Sequence, residues 1–174
     1  MAGVLAALAI YGVRRYLASA KTAEAKNSLG VIFFPAFDWS ISPTHPEREE
    51  RLLYTRDQLV EEGLFDIPGI TEYRPAFASH AQLERVHFCL PTVRAVSTDS
   101  HLAAAGGAIR AARLVLEGHE DRAFALVRPP GHHAMRVVHG NRGFCNINNE
   151  AVMVEYIRDH YPRSDGRPLR IAIV

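Results

Sequence analysis

Little in this sequence is extreme, and each shortage excludes a class. Only two cysteines occur in 174 residues, Cys89 and Cys145. That is too few for a disulfide framework and points to a reducing compartment, the cytoplasm. Charge of one sign is not in excess: twenty basic side chains stand against nineteen acidic ones, a formal net charge of +1. Phosphate attraction is therefore not built in, and direct nucleic-acid binding is not expected. Long hydrophobic runs are also missing. The apolar stretch Ala2 to Val13 falls short of the ~20 residues a spanning helix needs. Its positive charges, Arg14 and Arg15, follow it, whereas a secretory signal carries them in front. This stretch reads as a packed helix, so residues 1–28 form a helical extension and membrane association is not expected. There is no internal repeat. A hydrophobic fraction of 48% with 22% charged residues belongs to a chain that folds, and excludes disordered and low-complexity classes.

What is present alternates between two periodicities. Gly30 to Phe34 is short, β-branched and aromatic, and Pro35 stops it, so a buried strand is expected. Thr44-His45-Pro46-Glu47 fits a capping box. It predicts a helix with Leu52, Leu53, Leu59 and Val60 inward and Gly63 as its stop. Ser79-His80-Ala81-Gln82 is a second box, opening a short helix that ends before Pro91. His101 to Glu117 reads as a helix closed by Gly118. Its Gly106-Gly107 pair costs about 1 kcal/mol per glycine, which implies close packing there. Ala123 to Val127 is a strand, Asn149 to His160 a helix, and Leu169 to Val174 an apolar strand. The alternation predicts an α/β fold: a mainly parallel sheet flanked by helices.

The chemistry concentrates in Arg128-Pro129-Pro130-Gly131-His132-His133-Ala134 and in His139 to Asn146. The segment follows a strand directly, and open α/β sheets bind ligands at the carboxyl ends of their strands. Adjacent histidines on an irregular loop can share one cleft. There they can divide the work of proton acceptor and charged stabiliser, since an unperturbed imidazole titrates near pH 6.5. An isolated His-His pair is more often structural, and the surrounding residues decide.

Arg-Pro-Pro-Gly-His-His-Ala, with Gly-Phe-Cys-Asn-Ile-Asn-Asn downstream, resembles the zinc-dependent histone deacetylase family and its bacterial amidohydrolase members. Weaker matches lie at His45-Pro46-Glu47, Leu83 to His87 and Ser97 to Ser100. The resemblance implies an arginase-like α/β domain, of which residues 29–174 are the N-terminal part. It implies hydrolysis of an acyl amide such as acetyl-lysine or an acetylpolyamine, with zinc polarising the carbonyl. His133 then matches the general base and His132 its electrostatic partner. Gly143 and Phe144 match the wall of the narrow substrate channel, and Asp99 an acidic residue at its rim. The family's zinc ligands lie in an Asp-x-Asp-x-His-His type motif after the fourth strand. Here that strand is Arg170 to Val174, so no metal ligand is expected within residues 1–174, and this chain alone is expected to be inactive. The sequence thus reads as cut in mid-domain, with its last strand bare of neighbours.

Two other readings remain. A degenerate deacetylase fold could bind acylated amines or a partner chain without hydrolysing anything. A cysteine hydrolase could use Cys145 with His133 or His139, although a small residue packed beside Phe144 accounts for that cysteine more simply. His87 reads as a satisfied structural side chain.

Overall fold

The computed structural model describes residues 28–33, 42, 44–48, 50–138 and 144–174. The expected N-terminal helix and Gly143 lie outside them. Among the described residues no helix is long and apolar enough to cross a membrane.

Three parallel strands form the sheet: β1 (Leu29–Phe33), β2 (Ile70–Tyr73) and β3 (Arg122–Leu126), in the order β2-β1-β3. β1 is the central strand. Its Leu29 pairs with Ile70 on one side and Arg122 on the other. Val31, Ile32 and Phe33 are buried, as a strand covered on both faces must be. β2 carries Thr71 and Glu72 exposed at the sheet edge. This strand carries no clear sequence signal, because only four residues pair and half of them are polar.

Between β1 and β2 runs α1 (Glu50–Glu61). Leu52 is buried on it and Leu53 and Leu59 are half-buried, but Val60 faces solvent. The expected capping box does not start this helix. Thr44 sits in an exposed turn, and Glu47 turns inward to arginines instead.

From β2 the chain passes through α2 (His80–Glu84), α3 (Leu90–Val96) and α4 (Asp99–Leu116) to β3. The Ser79 box is present as expected: the Ser79 hydroxyl accepts from the Gln82 N–H, and the Gln82 side chain accepts from the Ser79 N–H. This helix ends at Glu84, before Pro91 as expected, and Pro91 itself opens a further helix that the sequence does not announce. It occupies the first turn of α3, where its missing N–H leaves no hydrogen bond unmade.

α4 lies against β1, β3 and α5 (Asn149–His160), which explains why small residues fill it. A methyl group on Gly106 would stand 1.8 Å from the Ala76 carbonyl oxygen, and one on Gly107 would stand 2.6 Å from Val127 Cγ1. The two glycines thus let the β2–α2 connection and the end of β3 close onto the helix. Ala105, Ile109, Leu83, Val93, Ile147 and Val152 form the apolar cluster between α4 and its neighbours.

Leu169 to Val174 is not a strand. It makes no ladder, and Arg170 and Ile173 are exposed. An apolar, β-branched sequence becomes a strand only when a partner supplies ladder hydrogen bonds, and no described strand lies beside this one.

Candidate active site

The sheet order places the site. The chain leaves β1 for β2 on one side and returns to β3 on the other. The carboxyl ends of β1 and β3 therefore diverge at a switch point, where open α/β sheets form their crevices. The His45–Glu47 turn comes from the β1 side and the Arg128–Ala134 loop from the β3 side.

A buried ion pair ties the two together. Arg128 has a fully buried side chain, and its Nε donates to Glu47 Oε1 at 3.1 Å. The other Glu47 oxygen accepts from Arg51 at 2.8 Å, where the guanidinium is half-exposed. His45 Nδ1 accepts the Glu47 N–H at 3.0 Å, which shapes the turn.

The histidine loop is held from beneath by the segment that enters α5. Asn149 donates to the Pro129 carbonyl at 3.1 Å, and Asn148 to the Ala134 carbonyl at 3.3 Å. Gly131 permits this approach: a methyl group there would stand 2.5 Å from the Ile147 carbonyl oxygen. On this rigid base the His132 and His133 rings meet edge to face, with centroids 4.1 Å apart, and both residues are exposed. A fixed, accessible pair of imidazoles can accept and return a proton.

Phe144 and Cys145 complete the surroundings. Phe144 has a left-handed backbone (φ 69°) and stays exposed, with its ring 4.5 Å from that of His45. A bulky residue at positive φ carries strain, and such outliers cluster at functional sites. Cys145 is buried with Sγ 4.0 Å from His132 Nδ1. Burial pushes its thiol above the usual range. A nucleophilic cysteine needs the opposite shift, so the cysteine-hydrolase reading finds no support.

Asp99 opens α4 and is exposed. Its helix start is tied to the site through a residue that the sequence did not single out. His101 is buried, and its Nδ1 accepts the Thr98 N–H at 3.3 Å and lies 3.0 Å from the Thr98 hydroxyl. The Asn146 Nδ2 lies 3.2 Å from the Nε2 of that ring. No motif marks His101; it lies in an alanine-rich helix and only the fold brings it to Asn146.

His87 is the structural histidine expected. Its Nδ1–H donates to the Met135 carbonyl at 2.9 Å and Nε2 accepts the Asn148 N–H at 3.0 Å. One neutral ring thus pins both arms of the site, and burial lowers its pKa. Because the folded value lies below the unfolded one, near 6.5, His87 stabilises the fold above that pH. The stability drains away as pH falls below it, when the unfolded chain takes up the proton first. Urea midpoints measured between pH 7.5 and 5.5 are expected to fall more steeply for the wild type than for His87→Gln. Parallel slopes would contradict this role.

His132, His133 and Cys145 have ligand atoms within 4.8 Å of one another, the one such grouping among the described residues. Two imidazoles and a thiol are donors that zinc accepts, but binding here would have to displace the proton of a thiol that burial pushes above its usual range. Its sulfur stands at weak hydrogen-bond distance from His132.

Comparison with known proteins places these features in context. The sequence model of the histone deacetylase domain family matches residues 91–174. A protein described as a probable deacetylase of Archaeoglobus fulgidus is 43% identical over 135 residues, covering 67% of this chain and 37% of that protein. Polyamine deacetylase HDAC10 of Rattus norvegicus is 43% identical over 58 residues, covering 33% of this chain and 10% of that protein. The crystal structure of the HDA15 HD domain superposes with a TM-score of 0.61 at 28% identity, covering 73% of this chain and 42% of that one. The chain therefore spans little more than a third of the archaeal relative's length.

Proposed function

Since this chain belongs to the histone deacetylase family, we propose that it carries the proton-transfer loop and part of the substrate channel of an acyl-amide hydrolase. The observation that supports this reading best is the exposed His132–His133 pair on a loop fixed by Asn148, Asn149 and the buried Arg128. In this reading His133 takes a proton from the attacking water as the water oxygen bonds to the acyl carbon. The C–N bond then breaks, and His133 returns the proton to the leaving amine nitrogen. His132 steadies the charge that His133 gains. Phe144 and Gly143 line the channel around the aliphatic stem of the substrate, and Asp99 holds its polar end at the rim. Zinc dependence belongs to the same proposal, with ligands in the motif that the resemblance places downstream of Val174.

The substrate class is an acylated primary amine, either acetyl-lysine in a peptide or an acetylated polyamine. Acetate release from both, by the protein that carries this chain, is the test. Turnover on either supports the reading. Absence of turnover on both, under conditions where the protein binds them, favours a second reading in which the fold holds acylated amines without cleaving them.

A further inference from the structure

A cavity of about 320 Å³ opens beside the carboxyl end of β2, between α2, α4 and α5, and shares no residue with the histidine loop. Three arginines line it: Arg74 from the strand end, and Arg110 and Arg113 from successive turns of α4. Such a concentration of cations in a concave site needs an explanation, because like charges held together repel.

The partners at hand supply it only for Arg113. Arg113 gives its Nε to Glu117 at 2.8 Å, and that carboxylate also accepts from Tyr161. Arg74 makes no ion pair among the described residues. Arg110 lies over the Tyr73 ring, 5.5 Å from its centroid, while the Tyr73 hydroxyl is spent on Glu120 at 2.6 Å. The Arg110 Nε is enclosed and has no hydrogen-bond partner among the described residues. A guanidinium N–H shut away from water without an acceptor is costly, and a native structure seldom leaves one so. Ile109, Phe77 and Tyr156 make the remaining wall apolar.

We propose that this cavity is a second binding site, for a small organic phosphate ester whose dianionic head sits on Arg74, Arg110 and Arg113. Three guanidinia match a group with three terminal oxygens better than a carboxylate with two. The Ile109 and Tyr156 wall takes the organic part, and the volume lies at the small end of ligand pockets.

Calorimetric titration of the full chain with phenyl phosphate, and separately with inorganic phosphate and phenol, tests this. Phenyl phosphate is expected to saturate one site and to bind more tightly than inorganic phosphate, with phenol silent. Arg110→Gln and Arg74→Gln are each expected to weaken it about tenfold. Arg94→Gln, which breaks an exposed pair with Glu84 on α2 and does not line the cavity, is expected to leave it unchanged. Arg74 is exposed, so its variant remains informative even if Arg110→Gln fails to fold. Equal affinity for inorganic phosphate, or affinities unmoved by either cavity variant, would overturn the proposal.

Discussion

Glu47→Ala is expected to destabilise the protein by about 3–5 kcal/mol. The reason is what it leaves behind. Arg128 has no exposed side-chain surface, so its charge cannot return to water when the carboxylate that faces it is removed. The second partner of Glu47 provides the contrast. Arg51 is half-exposed, and pairs of that kind contribute up to about 1 kcal/mol. Arg51→Ala should therefore cost little although its ion pair, at 2.8 Å, is the shorter of the two. Removing both buried charges with well-filled apolar replacements, Glu47→Leu with Arg128→Met, should recover much of the loss. Urea denaturation of the three variants and the wild type measures all of this. A Glu47→Ala variant within about 1 kcal/mol of the wild type would show that the buried pair is not what closes the crevice. The turn that sets His45 against Phe144 is held by the Glu47 backbone N–H, which donates to His45 Nδ1 and is kept in Glu47→Ala.

His133→Ala is expected to lower kcat of the protein that carries this chain by about 10²–10⁴-fold, the range for loss of a positioned general base. KM should change little, because Phe144, the proposed channel wall, and the loop anchors at Pro129 and Ala134 are untouched. His132→Ala should also slow turnover, and its residual rate should retain a pH dependence set by His133. A purely structural His133 would behave differently: the variant would lose stability and substrate binding together, with kcat per folded molecule preserved.

Much of this was legible in the sequence, and the omissions have physical causes. Three features carried most of the architecture. They were the β-branched run at β1, the Ser79–Gln82 box and the glycines inside α4, which pack as closely as their helix cost implied. β2 was missed because an edge strand does not need a hydrophobic face. The helix that ends before Pro91 is legible, but the one that Pro91 opens is not, because a proline marks a helix start only once its place in a first turn is known. Thr44 to Glu47 had the letters of a capping box, but Glu47 is bound elsewhere by an arginine 81 residues away. Nothing local encodes that contact. Leu169 to Val174 had strand composition, yet strand formation depends on a neighbour. The histidine loop was recognisable from its residues, and the fold brings His132, His133 and Cys145 together and Phe144 against His45. His101 was not recognisable, because its link to Asn146 exists only once α4 has packed.

The central claim is that this chain supplies the proton-transfer loop of the site and not its metal ligands. Metal analysis of the purified 174-residue chain after zinc loading and desalting, paired with an acetate-release assay and circular dichroism to verify folding, tests it most directly. The account predicts a folded chain with no stoichiometric zinc and no acetate release. Stoichiometric zinc that supports turnover, and that is lost in His132→Ala or Cys145→Ser, would contradict it.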